Sequence, residues 1–139
     1  MIHARSFVLV MAVAFASPAM AETMSFETAT AILVESCGAD IDANCHGVSL
    51  DAPRLRECLS RNQDSVSAQC RTDYIKAFDA VGKRVAARAA VWKSCERDKQ
   101  KLCAEAQGKP GETIACLLKA PTKSLGWGCN QALGLAGYR

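Results

Sequence analysis

The side chains best equipped for chemistry in this chain are eight cysteines: Cys37, Cys45, Cys58, Cys70, Cys95, Cys103, Cys116 and Cys129. Such a set can hold soft metal ions as thiolates or close disulfides, and the spacing discriminates between the two. In CGADIDANC, residues 37–45, two cysteines stand eight positions apart with Asp40 three steps after the first. CERDKQKLC, residues 95–103, repeats the spacing, with Asp98 in the same place. Metal sites favour two to four residues between thiolates. Eight steps along a helix instead put two side chains on one face about 12 Å apart, too far to share an ion but suited to stapling two partner elements at two levels.

The other chemical groups are sparse. His46 is the only histidine beyond the first residues, and the Cys45-His46 pair lacks the earlier cysteine of a haem attachment motif. No nucleophile elbow, H-E-x-x-H, P-loop or dinucleotide fingerprint occurs. A structural role is expected for Asp40 and Asp98, each accepting a backbone hydrogen bond from an adjoining helix start or pairing with a basic residue. Two alternatives stay open. Reduced cysteines with Met24 would make a soft-metal (copper or zinc) binding protein. Asp40, Asp42, Glu57 and Asp98 around a metal would make a small hydrolase. The leading expectation is no enzyme, no cofactor and no metal ligands.

Stepping from the cysteines to their setting, residues 1–21 combine Arg5, an apolar run from Phe7 to Ala16, Pro18 and the small-x-small end Ala19-Met20-Ala21. This reads as a secretory signal peptide cleaved after Ala21, with an apolar core too short to span a membrane. Residues 22–139 then form one small domain, with every cysteine in the exported part. An even cysteine count in a short exported chain reads as a disulfide framework, which places the protein in the periplasm or outside the cell. Its charge is weakly positive with acids and bases interspersed, which argues against a dedicated nucleic-acid surface. Lys76, Lys83, Arg84, Arg88, Lys93 and Arg97 read as the wet face of a long helix.

Shifting the sequence by 58 positions lays Cys37 on Cys95, Cys45 on Cys103 and Cys58 on Cys116, with Cys70 one residue short of Cys129. Leu59 meets Leu117, and Ser65-Val66 meets Ser124-Leu125 after a single insertion. The chain is therefore two copies of one unit, at about 34–73 and 92–132. Phe26, Leu33, Cys37, Ile41 and Cys45 recur at helical steps behind a Ser25 cap; Pro53 opens a short second helix carrying Leu55, Cys58 and Leu59. After a turn at Asn62-Gln63-Asp64, capped by Asp64 or Ser65, apolar residues from Val66 to Cys95 keep helical spacing without a proline. The third helix of the first unit thus continues into the first helix of the second. Gly108–Gly111 reads as loop, Thr113–Lys119 as the short helix, Pro121–Ser124 as turn and Asn130–Arg139 as a brief tail. The expected fold is all-α: two disulfide-stapled three-helix units sharing a long connecting helix.

Eight cysteines allow about 105 pairings. Where two antiparallel helices face each other, the cysteines near their loop meet, and the distal cysteine must find the third helix. This gives Cys45 with Cys58, Cys37 with Cys70, Cys103 with Cys116 and Cys95 with Cys129. Each outer bond removes denatured-state entropy worth roughly 3 to 4 kcal/mol. Against a typical net stability of about 5 to 15 kcal/mol, the four bonds decide whether the chain folds.

Cys37-Gly-Ala-Asp40 through Cys45, Cys58-Leu59, and Asn62 to Val66-Ser67 before Cys70 resemble the cysteine-rich repeat family, known from a Golgi cysteine-rich growth-factor receptor. The second copy offers Cys95, Asp98, Cys103, Cys116-Leu117 and Leu125 before Cys129. It departs by having Pro121 in place of Asn62 and one extra residue before Cys129. The chain looks like a short secreted bacterial member with two repeats. The resemblance implies a stapled helical module without catalytic activity. The function expected is that of a structural or protein-interaction module whose partner is an unknown envelope or extracellular protein. Trp92, Trp127 and Tyr138 are candidate surface residues, although Trp92 at the repeat junction suits a core. Neither nucleic acid nor a membrane span in the mature chain is expected, and the sequence sets no oligomeric state.

Overall fold

In the computed structural model, which describes residues 22–49 and 51–139, the chain is all-α, with no strand among the described residues. The expected leader, residues 1–21, lies outside them. The helices are α1 (Phe26–Asn44), α2 (Ala52–Arg61), α3 (Ala68–Ser94), α4 (Glu96–Leu102), α5 (Pro110–Lys119) and α6 (Trp127–Leu135), with short 3₁₀ turns at Ala104–Ala106 and Thr122–Ser124. No described helix is long and apolar enough to cross a membrane.

Local chemistry sets the helix starts. The Ser25 hydroxyl accepts the Thr28 N–H at 3.0 Å and opens α1, which buries Ala29, Leu33 and Cys37 at four-residue intervals. Asp51 caps α2 by accepting the Arg54 N–H at 3.1 Å, and Pro53 sits in the first turn, where its missing donor costs nothing. The Asp51 carboxyl is held below its usual range by the Ser49 hydroxyl and then by that Arg54 N–H. Its cap is therefore complete above the ordinary carboxylate range and is lost as pH falls through the lowered value.

α3, 27 residues and about 40 Å long, is shared by two cores. α1 runs antiparallel to its first half: Cys37 bonds Cys70, and the Met24 N–H reaches the Ala80 carbonyl at 3.2 Å. α6 runs antiparallel to its second half: Cys95 bonds Cys129, while Arg88 Nε donates to the Ala136 carbonyl at 3.1 Å. One core gathers Leu33, Leu55, Leu59, Val66, Tyr74 and Ala77; the other gathers Val91, Leu117, Leu125, Leu133 and Ala136. Leu59 and Leu117, each directly after an inner-bond cysteine, are both fully buried.

The disulfides are Cys37–Cys70, Cys45–Cys58, Cys95–Cys129 and Cys103–Cys116, nested within each repeat, and no described cysteine is free. Such bonds belong to an oxidising compartment.

The structure corrects several local expectations. The α3 cap is Ser67, not Asp64 or Ser65, because the turn after α2 bonds Ser65 and Val66 back to Asn62 and buries Val66 before the helix begins. The long connecting helix breaks for one residue at Cys95, although hydrogen bonds pass through the break, from Cys95 N–H to Val91 and from Lys99 N–H to the Cys95 carbonyl, each 2.8 Å. α5 starts at Pro110 and not at Thr113, whose buried hydroxyl donates to Ala106 and Lys109 carbonyls at 2.6 and 3.0 Å. The C-terminal tail is mostly helix: Cys129, Ala132, Leu133 and Ala136 recur at helical steps and are buried.

Nor is the basic stripe wholly a solvated face. Arg88 lies 5.5 Å from the centre of the Tyr138 ring. The Arg84 guanidinium occupies the space a Cβ on Gly137 would need, at a position whose φ of 72° already favours glycine.

Burial separates the four bonds. Both sulfurs of each outer bond belong to residues with no exposed surface, whereas Cys58 and Cys116 of the inner bonds are half-buried. Attack by an external thiolate requires access to a sulfur. Under graded reduction followed by alkylation and peptide mapping, Cys45–Cys58 and Cys103–Cys116 should open first. Equal or earlier labelling of Cys37, Cys70, Cys95 or Cys129 would contradict the burial order.

Candidate functional site

The two motif aspartates do the same work in both repeats. Asp40 accepts from the Ser67 N–H at 3.1 Å and its hydroxyl at 2.7 Å, and Ser67 in turn caps α3 at Cys70 N–H. Asp98 accepts the N–H of Gly126, the residue that opens α6, at 3.0 Å. In each case the carboxylate lies three residues after the outer cysteine, and the helix start it holds lies three residues before that cysteine's disulfide partner. Bond and cap therefore fix the same helix end together.

This engagement disperses the acidic set considered for a metal site. Asp40 and Asp98 sit in different repeats, and Glu57 pairs with Arg61 on α2. No group of three His, Cys, Asp or Glu side chains among the described residues converges to hold a metal ion. The disulfides also consume the thiolates that a soft-metal site would need, so reduced-cysteine metal binding is disfavoured.

What remains open is a surface. In the first repeat an apolar groove of about 310 Å³ runs between α1, α2 and α3, walled by Phe26, Val34, Ile41, Leu55, Phe78 and Val81, with Gly38 giving it room. Phe26 is 59% exposed and Val34 68%, unusual for contiguous apolar residues on a small protein. Asp42 adds an acidic edge.

The second repeat shows the same place lined with charge. Under the shift of 58, Val34 corresponds to Trp92, Gly38 to Glu96, Ile41 to Lys99 and Leu55 to Thr113. Lys99 Nζ lies 5.5 Å from the Trp92 ring centre and 2.7 Å from the Glu96 carboxylate. The Lys99 ammonium and then the Gln100 amide hold the Glu96 carboxyl below its usual range. Phe26 corresponds to Arg84, which covers Gly137. Only a cleft of about 250 Å³ edged by Glu96, Lys99 and Lys109 is left.

The three aromatic residues singled out from the sequence do not form one surface. Trp92 is half-buried beneath Lys99, and Tyr138 is half-buried against the second core below Arg88. Trp127 alone is exposed, at 78%, at the opposite end of α6 from Tyr138. The charge is also less mixed than the whole-chain count conveys. Residues 22–73 carry nine acidic and four basic side chains, net −5, whereas residues 74–139 carry five acidic and twelve basic, net +7. Counting each repeat separately, and comparing residue types at matched positions, would have exposed both the groove and this asymmetry.

Asp40→Ala should lower the unfolding free energy of the oxidised protein by about 1 to 2 kcal/mol and Asp98→Ala by about 1 kcal/mol, measured in urea. Asp40 should matter more because it holds two donors. Unchanged midpoints for both variants would remove the cap role.

No family model matches the chain, and no curated protein or solved structure is significantly similar to it.

Proposed function

We propose that this chain is a two-repeat member of the cysteine-rich repeat type, exported to the periplasm or beyond the cell, where it acts as a non-catalytic protein-interaction module. The observation that carries this reading is the apolar groove of the first repeat beside its smaller, charge-lined counterpart in the second. Two units of one construction share staples, caps and buried leucines, yet differ where one leaves apolar side chains in water. Exposing Phe26 and Val34 gives up roughly 1.5 to 3 kcal/mol of burial for each side chain. A binding role accounts for that cost; a purely structural module would gain from lining the groove with polar side chains as its twin does.

The disulfide frame suits such a role because it presents the groove on helices already fixed in place, so little ordering remains when a partner arrives. The motif aspartates are engaged in holding helix ends, consistent with a structural and not a catalytic use.

A photoreactive side chain placed at Val34 in the exported protein should yield a discrete adduct in the native compartment, and Gly38→Glu should abolish it. A Cβ at Gly38 meets no atom within 4 Å, and glutamate is what the second repeat carries there, so the variant fills the groove without disturbing the core. The same probe at Val85, exposed but outside the groove, is the control. Identical adducts from both positions, or indifference to Gly38→Glu, would count against the reading.

A further inference from the structure

We infer that the groove's partner is a second copy of this chain, whose Trp127 enters the groove head to tail; this rests on the groove being the interaction site. Trp127 is the most exposed large apolar residue of the described chain, and its backbone is held on both sides. The Gly126 N–H before it is held by Asp98, and Cys129 two residues on is bonded to Cys95. An exposed tryptophan on a fixed backbone is the kind of anchor that dominates interface energetics when a concave apolar site receives it. A groove of about 310 Å³ lies at the lower edge of the roughly 300 to 1,000 Å³ range of concave ligand sites, so it accommodates one large side chain and little more.

Charge selects the same occupant. α1, which forms one wall of the groove, carries Glu27, Glu35, Asp40 and Asp42 and no lysine or arginine. Arg97 and Lys101 flank Asp98 on α4, which holds the start of α6, and Lys123 lies four residues before Trp127. All three are exposed, and neither they nor Glu27, Glu35 and Asp42 form an ion pair among those seen in the described residues. The −5 segment 22–73, which supplies two of the groove's three walls, and the +7 segment 74–139, which bears the tryptophan, are complementary between copies. Within one copy they cannot meet. From Phe78 at the groove to Asp98 beside α6 the connecting helices span about 30 Å. Each copy thus offers one groove and one tryptophan on different surfaces, a heterologous contact that extends from copy to copy or closes into a ring.

Sedimentation velocity of the oxidised, leader-free protein tests this with two single variants, Gly38→Glu and Trp127→Ala, both at sites away from the cores and checked for intact helicity and four bonds. The wild type should gain mass with concentration, and less so as ionic strength rises from about 0.01 to about 0.1 M and the screening length falls from ~30 to ~10 Å. Each variant alone should remain monomeric. An equimolar mixture should form a one-to-one dimer and nothing larger, since only one intact groove faces one intact tryptophan. A wild type that stays monomeric at every concentration, or variants that associate as it does, would overturn the inference. So would a monomer that binds phosphatidylglycerol vesicles through Trp127, which would make the basic half a lipid-facing surface. If self-association fails while a Val34 adduct of a different mass persists in the native compartment, the groove keeps its interaction role and only the identity of its partner falls.

Discussion

The bond between Cys37 and Cys70 ties the middle of α1 to the first turn of α3, and almost everything else in the first repeat follows from that junction. With Asp40 holding Ser67 one turn earlier, the start of α3 is fixed in both position and direction. Tyr74 and Ala77 then fall opposite Leu33 in a core that excludes water. The buried residues are divided between two small cores, so covalent and capping constraints add to what packing alone defines for each helix pair. The second repeat reuses the arrangement with Cys95, Cys129, Asp98 and Gly126, where the shorter side chain leaves one hydrogen bond in place of two.

Because the skeleton is set by so few residues, the surfaces of the two repeats were free to diverge. Val34 and Trp92 occupy matched places on matched helices, yet one is exposed beside a groove and the other lies under a lysine paired with a glutamate. The leucines beside the inner bonds are kept, Leu59 and Leu117 both fully buried, while buried Leu55 gives way to buried Thr113. This separation lets repeated modules share a fold while differing in what they contact.

The skeleton was legible because its constraints are local and periodic. Cysteine spacing carried the antiparallel geometry, and Asp40 and Asp98 stood one turn beyond the outer cysteines, where a cap is needed. Three things escaped for physical reasons. The Cys95 break depends on backbone angles that spacing does not encode. The last helix hid behind Gly128 and Gly134, whose weak propensity is overridden by Leu133 and Ala136 packing beneath α3. Arg84 and Arg88 looked like solvent-facing charges because a long basic side chain can turn its head toward a backbone carbonyl or an aromatic ring that only the fold supplies. The groove escaped for a related reason, since Phe26 falls in the same helical stripe as Leu33 and Cys37 and only the fold shows that it is left exposed.

The way α6 ends has a bearing on how units of this kind join. Its counterpart in the first repeat, α3, runs on into the opening helix of the next unit, its hydrogen bonds passing through the one-residue break at Cys95. α6 instead closes at Gly137 in a left-handed turn, with the Tyr138 N–H bonded to the Leu133 carbonyl at 3.0 Å, and Arg84 presses on that glycine from outside. A continuous rod is thereby converted into a sealed terminus. Any unit appended beyond it would have to nucleate a helix of its own, so the mechanical stiffness that couples the first repeat to the second would not be passed along.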